Sequence, residues 1–377
     1  SNLVGTDFEA RNGGRISSPA LTSLQFTDFA AIGSGSRLDT AQITEARGAG
    51  IAALDGARLR FDSLQRYEGG NGPSTAITAS GTGSQLEFPV LTDLTGTTSQ
   101  FTSATIRATG GGFITLPELT TLDAGALILA ASGPDSVLDL PAFSRGVGVS
   151  VELSDSAELR SPEWSELYVG RIVLRGNATL DSRRLTVIDG SSLQALDGAR
   201  LRLEAVQGYQ AGTVSAGFSA IGAGSLVELP SLRQISGSIA LFTQFSLEAL
   251  NSGTVRLPLI TELEVGTFTA NARDPGSRLD LPSLTSTRDF SFSVFNGGTL
   301  SAPGLRSLTG GHVDLYAQGI WTTEQIRSLR NVSVALNGAT ASFPNLTDAG
   351  TASFTYPNGG TAVLPAAADL QVTTVGD

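Results

Sequence analysis

Apolar residues recur at fixed positions around a motif of the form Leu-x-Leu-Pro-x-Leu-Thr-x-Leu, which is repeated along the chain. The fourth position of the motif serves as an anchor for each repeat. Successive anchors lie 20 to 28 residues apart, at Pro19, Ala41, Asp62, Pro89, Pro117, Pro141, Pro162, Arg183, Glu204, Pro230, Pro258, Pro282, Pro303, Glu324, Pro344 and Pro365. Repeats of this length are typical of solenoids, so we expect a stack of similar coils.

Two columns of apolar residues accompany these sixteen anchors. Three residues before the anchor, the first column is Ile16, Leu38, Leu59, Leu86, Ile114, Leu138, Leu159, Leu180, Leu201, Val227, Val255, Leu279, Leu300, Trp321, Ala341 and Ala362. Two residues after it, the second column is Leu21, Ile43, Leu64, Leu91, Leu119, Phe143, Trp164, Leu185, Val206, Leu232, Ile260, Leu284, Leu305, Ile326, Leu346 and Ala367. One coil cannot bury such a face alone, so stacked coils are expected to share a core.

Short segments that alternate apolar and polar residues lie between glycine-rich corners, as from Val149 to Leu153. A period of two is that of a β-strand, and helical periodicity is not sustained anywhere. The sequence therefore predicts an all-β fold, a single long parallel β-solenoid (β-helix) of about sixteen coils of 20–28 residues.

A longer period lies above the coil. From Ala41 the anchor spacings are 21, 27, 28, 24, 21 and 21 residues, and from Arg183 they are 21, 26, 28, 24, 21 and 21. Residues 53–60, ALDGARLR, recur unchanged at 195–202. This indicates duplication of a six-coil unit, 41–182 and 183–323, followed by shorter coils over 324–370. Because no linker interrupts the repeat, residues 1–377 are expected to form one continuous solenoid.

Several coils resemble the turns of receptor L domains, which are leucine-rich β-helices. The resemblance is carried by residues 88–96, FPVLTDLTG, and 229–237, LPSLRQISG, and extends as a loose pattern from about residue 16 to residue 370. It implies a right-handed solenoid and, since relatives of L domains occur on fungal walls and bacterial surfaces, a repetitive bacterial cell-surface protein. The chain lacks cysteine and has far more coils, so receptor function is not carried over.

Composition narrows the possible partners. The formal net charge is −11 and the 24 basic residues, all arginine, form no large basic cluster, so nucleic acid is not an expected partner. Without cysteine there are no disulfides and no thiolate metal sites. No apolar run approaches the ~20 residues that cross a bilayer. We expect an extracellular or cell-surface location with no membrane span.

The residue two places before the anchor alternates in charge between coils. This row is Asp39, Arg60, Glu87, Thr115, Asp139, Arg160, Asp181, Arg202, Glu228, Arg256 and Asp280. At strand spacing, such neighbours would form an outward-facing ion ladder that stabilises the stacking of coils. The alternative is a stripe that binds polysaccharide. In a neighbouring row, three residues after the anchor, eight coils have threonine, and we expect stacked hydrogen bonds there rather than an ice-binding face.

Residues suited to catalysis are few. The densest acidic group, which is Glu152, Asp155, Glu158, Glu163 and Glu166, is spread around the coil, whereas glycoside hydrolysis needs two facing carboxylates. His312 is the only histidine, so neither a catalytic triad nor a zinc site is indicated. We expect no enzyme activity and no cofactor, although Asp and Asn residues at corners could hold isolated Ca²⁺ ions.

Two functions fit this pattern. The first is a structural or adhesive extracellular module, a segment of a surface fibre, sheath or adhesin stalk, which associates end to end or continues into flanking repeats of a longer chain. The second is a module that binds cell-surface polysaccharide or protein on the loops of its long coils. These candidate binding loops lie near Tyr67 and Tyr209, over residues 67–81 and 209–222, and again over 95–112 and 236–253. A glycan-active β-helix enzyme is a third alternative.

Overall fold

The alternation of apolar and polar residues gives short strands that pair in parallel from one coil to the next. A computed structural model of the chain describes residues 2–5, 7–70, 75–97, 102–212, 214–237, 244–365 and 373–375. In these residues the only helical element is a 3₁₀ turn, Pro357–Gly359. The chain is therefore an all-β, parallel β-solenoid, and its coils make about 15 turns.

By their contacts the coils group into two compact units, residues 1–185 and 186–377. Each unit has its own core, as the residues below show. The expectation of one continuous solenoid over residues 1–377 stays a prediction.

In each unit the strands that contain the first apolar column form a six-stranded sheet and a separate two-stranded sheet, and we call both of them ladder sheets. In the first unit these strands are Arg15–Ile16, Arg37–Leu38, Arg58–Arg60, Gln85–Glu87, Phe113–Thr115, Val137–Asp139, Glu158–Arg160 and Thr179–Leu180. In the second unit they are Arg200–Arg202, Leu226–Glu228, Thr254–Arg256, Arg278–Asp280, Thr299–Ser301, Ile320–Trp321, Thr340–Ser342 and Thr361–Val363. Column residues pair directly, for example Leu86 with Ile114 and Val227 with Val255, so the predicted alignment of coils is confirmed.

A second sheet of each unit, the broad sheet, contains the longest strands of the chain together with several short ones. In the first unit they are Phe8–Arg11, Asp28–Ile32, Gly50–Leu54, Ala76–Ser80, Ala104–Thr109, Thr121–Ser132, Arg145–Ser154, Glu166–Tyr168 and Arg171–Arg175. In the second unit they are Ser192–Leu196, Gly208–Gln210, Ala216–Ile221, Gln234–Ser236, Phe245–Leu250, Glu262–Arg273, Ser286–Phe295, Ser307–Tyr316, Ser328–Asn337, Ser353–Thr355 and Thr373–Val375. A third sheet, in the first unit, comprises Asn2–Val4, Ser23–Gln25, Glu45–Arg47, Arg66–Glu68 and Asp93–Thr95.

The two apolar columns form the core of each unit. Every described member of the second column is buried, and Ala367 lies outside the described residues. The first column is buried except for Ile16, Leu180 and Ala362, which are half-buried. Leu180 lies in the last strand of a six-stranded ladder sheet, so it lacks a paired strand of that sheet on one side. Core side chains of this size each contribute about 1.5–3 kcal/mol when fully buried.

A buried serine at one corner of the coil links neighbouring coils. The Oγ atom of Ser136 donates a hydrogen bond to the Ser132 carbonyl (2.7 Å) and accepts one from the Gly111 N–H of the preceding coil (3.0 Å). The same pair of bonds occurs at five buried serines, which are Ser36, Ser84, Ser136, Ser225 and Ser277. We call this arrangement the serine clasp. It provides an acceptor for a partly buried backbone N–H at the corner.

Candidate functional site

In the second unit the predicted ion ladder is a continuous run of four residues. The Arg202 guanidinium hydrogen-bonds to the Glu228 carboxylate from the neighbouring coil. Arg256 then lies 3.4 Å from Glu228 through Nη1 and 3.2 Å from Asp280 through Nε. The Glu228 side chain is only 8% exposed, unlike the outward row expected, because an arginine covers it on each side.

In the first unit the members of the row are joined less regularly. Arg60 hydrogen-bonds to Glu87 of the next coil. Hydroxyls supply two other contacts between coils: Asp39 accepts from the Ser17 hydroxyl (3.4 Å) and Asp139 from the Thr115 hydroxyl (3.2 Å). Arg160 instead donates to Glu158 (2.8 Å), and Asp181 accepts from Arg183 (2.7 Å). The Arg183 hydrogen bonds lower the pKa of Asp181 below its ordinary value. Partners two residues away along the chain thus compete with partners on the neighbouring coil.

A second charged row was missed by the sequence analysis. It lies four residues after the anchor, where Arg66 contacts Asp93 of the next coil (2.8 Å) and Arg145 contacts Glu166 (3.4 Å). The Arg145 guanidinium also lies 5.3 Å from the centre of the Tyr168 ring. The alternation Glu45, Arg66, Asp93 was available in the same alignment of coils. These exposed pairs again favour a role in stacking.

Tyr67 and Tyr209, the residues that marked the candidate binding loops, lie in the core. Each ring is 2% exposed, and the hydroxyls donate to the carbonyls of Ala49 (2.7 Å) and Ser191 (3.1 Å). Burial raises the pKa of Tyr67 to about 12 and that of Tyr209 still further above its ordinary value. These rings therefore offer no face to a ligand, and their repetition reflects packing in both copies.

The central parts of the candidate loops, residues 71–74, 98–101, 213 and 238–243, lie outside the described residues. Beside Tyr209 there is an open hollow of about 330 Å³ whose polar lining includes Asp189, Gln210 and Gln234. Asp189 already accepts a hydrogen bond from the Gln210 backbone N–H (2.8 Å). The Asp189 side chain therefore stabilises the local backbone.

The threonine row is held by bonds between coils. The Thr44 hydroxyl donates to the Thr22 carbonyl (3.2 Å) and the Thr285 hydroxyl to the Thr261 carbonyl (2.9 Å). Each of these hydroxyls thus bonds to the backbone of the preceding coil, in the same direction as the hydrogen bonds between strands. This supports the stacking interpretation over an ice-binding face.

Most of the residues weighed for catalysis or metal binding have structural partners. Of the acidic group, Glu163 pairs with Arg184 and Glu166 with Arg145. His312 lies on the broad sheet, with Nε2 2.9 Å from the Asp314 carboxylate. Among the described residues no three His, Cys, Asp or Glu side chains are grouped so as to hold a metal.

The backbone conformation explains why acidic and amide residues occur at the corners. Asn12, Asp55, Asp155, Asp197 and Asn251 all have φ between 51° and 55°, at a corner where other coils place glycine. Asp and Asn tolerate this left-handed conformation better than other non-glycine residues. Corner geometry therefore accounts for the residues that suggested Ca²⁺.

Comparison with known proteins adds no family: no protein-family model matches the chain, and neither a curated protein nor a solved structure is significantly similar to it. The resemblance to receptor L domains therefore rests on the local motif. Within the described residues, no helix is long and apolar enough to cross a bilayer.

Proposed function

We propose that the chain is a structural or adhesive module of an extracellular surface protein, a segment of a bacterial surface fibre, sheath or adhesin stalk. The observation that carries the proposal is the duplicated six-coil unit. Its two copies keep apolar residues at the inward positions, while their charged rows and corners serve stacking. A chain that lengthens by copying coils gains reach without needing a new fold.

The distribution of charge supports a scaffold over an enzyme. In the described residues several carboxylates are paired with arginines, as at Glu228 and Glu166. The facing carboxylate pair of glycosidases has no counterpart in these contacts. We therefore propose no catalytic activity.

Surface labelling tests the location. Antibodies raised against the 377-residue chain should label intact cells of the native host, and external protease should remove the label. Labelling that appears only after lysis would contradict the proposal.

Light scattering tests end-to-end association of the isolated chain. We expect the mean mass to rise with protein concentration, because among the described strands Asn2–Val4 and Thr361–Val363 each pair on one side only, and such edges favour pairing with another copy. A constant monomer mass at high concentration would exclude polymerisation and leave the stalk as the remaining form of the proposal.

A further inference from the structure

Three adjacent strands of the second unit's broad sheet form a shallow polar groove of about 200 Å³. They are Ser192–Leu196, Ala216–Ile221 and Phe245–Leu250. Leu193, Phe218 and Leu247 pair across them and point into the core. The alternate residues point outward and form two rows across the three strands. The first row is Ser192, Gly217 and Ser246, and the second row is Gln194, Ser219 and Glu248.

The groove contains an unpartnered buried hydroxyl. Ser219 is 6% exposed, and its Oγ atom has no hydrogen-bond partner in the described part of the chain. A buried hydroxyl without a partner costs free energy, so an outside group that bonds to it is favoured. Beside it, a Cβ atom at Gly217 would lie 2.3 Å from the Ser246 Oγ, so glycine keeps the floor of the groove low.

The side chains that line the groove indicate which class of ligand it can bind. Among the described residues the lining consists of serine hydroxyls, the Gln194 and Gln244 carboxamides, the Glu248 carboxylate and small residues, with neither arginine nor an aromatic ring. Glu248 is half-exposed and makes no hydrogen bond or ion pair within the described ranges. A carboxylate and amides bind vicinal hydroxyls well, whereas the absence of a cation disfavours phosphate, sulfate and uronate groups.

We propose that this groove binds a neutral glycan chain. The polar rows continue on the next two strands as Thr269 with Asn271 and Ser291 with Ser293. The Gln244 side chain donates to the Thr269 hydroxyl (2.8 Å) and so joins the groove to this extension. Hydrogen-bonding groups therefore repeat at the strand spacing of about 4.8 Å, which suits a polymer better than a single sugar.

The first copy of the duplicated unit lacks the same lining. Its equivalent strands carry Ala52 in place of Gln194, Thr78 in place of Ser219 and Arg107 in place of Glu248. The inward residues remain apolar, as Ile77 stands where Phe218 does. The copies thus differ in the outward chemistry that the proposal requires, and the first copy supplies matched control positions. The binding site does not depend on the scaffold role.

Saturation-transfer NMR on the intact chain tests the proposal with four probes, cellohexaose, maltohexaose, laminarihexaose and chitohexaose. At least one should bind with a Kd on the order of 1 mM, because the groove offers few hydrogen bonds and no stacking face. A hexamer of galacturonate should bind at least tenfold more weakly. Failure of all four neutral probes, or preference for the anionic one, would overturn the proposal, whatever the cell labelling shows.

Variants separate binding from folding. Ser219→Ala should weaken binding about tenfold while leaving the Tm unchanged or higher, since the hydroxyl has no internal partner. Glu248→Gln should weaken binding by a similar factor. Thr78→Ala, at the matched position of the first copy, should leave binding unchanged. Unaltered binding in both Ser219→Ala and Glu248→Gln would place the glycan elsewhere and overturn the assignment.

Discussion

Glu228 offers the sharpest test of the charged row. Glu228→Gln keeps the shape of the side chain but removes its charge, leaving Arg202 and Arg256 without their shared partner. A hydrogen bond to a charged group contributes about 1.5–3 kcal/mol when buried. Both arginines are half-exposed and retain another acid, Glu204 or Asp280, which offsets part of the loss. We therefore expect the free energy of unfolding to fall by about 1–2 kcal/mol.

The duplicated copy provides the control. Glu87 occupies the matched position and contacts Arg60, but its side chain is 33% exposed where that of Glu228 is 8% exposed. Glu87→Gln should lower the unfolding free energy by less than half as much, because water already screens that pair. Its effect should also shrink in high salt, while that of Glu228→Gln should change little.

Urea unfolding is the suitable assay, since urea adds no ions, and the midpoint and slope give the free energy. Trp321 reports on the second unit and Trp164 on the first, so Trp164→Phe and Trp321→Phe backgrounds separate the two signals. Equal losses for Glu228→Gln and Glu87→Gln would show that burial of the carboxylate does not set the strength of the contact. A stabilising Glu228→Gln would show that desolvation outweighs the two ion pairs.

Three further outcomes follow from the structure. Tyr67→Phe should reduce the alkaline loss of stability by the contribution of Tyr67, seen by circular dichroism. The folded pKa of about 12 exceeds the ordinary value of 10.0, so this contribution is present below pH 10 and about 2–3 kcal/mol of it is lost as pH rises to 12. Val169→Asn should raise the Tm, because Val169 has a φ of 51° and asparagine tolerates this left-handed conformation better than valine does. The conformation costs a β-branched residue about 1–2 kcal/mol, and a lower Tm would contradict this reasoning. Ser136→Ala should cost about 1–2 kcal/mol and speed exchange of the Gly111 amide, whose partly buried N–H loses its acceptor. Unchanged exchange would exclude the clasp.

The alignment of coils could be predicted because a period of two and a shared core leave little freedom. A shift of one residue would turn Leu86 outward and Glu87 inward, at a large cost in free energy. The contacts within the charged row were harder to predict, since the sequence indicates which coils are adjacent but not which side chains pair. At Arg160 the nearby Glu158 competes with the next coil, and the outcome depends on side-chain geometry.

The candidate site shows the limits of sequence patterns. Tyr67 and Tyr209 stand out in the sequence because they recur at matched positions. A ring packed in the core and an exposed ring can both recur in this way, so recurrence alone does not distinguish them. Ser219 and Gln194 carry no motif, and they come together only because three coils align in the broad sheet. The comparison of outward residues between the two copies would have been the signal for them.

Parallel pairing between coils has a mechanical consequence within each unit. The backbone bonds that join two coils, such as the row from Gln85 to Glu87 with Phe113 to Thr115, point along the direction of stacking. Tension applied to the chain would therefore peel away one coil at a time, loading a few bonds in succession. Each released coil of 20 to 28 residues would add roughly 70–100 Å of extended chain. Such an element would lengthen in steps and dissipate work under pulling, as an extensible tether does.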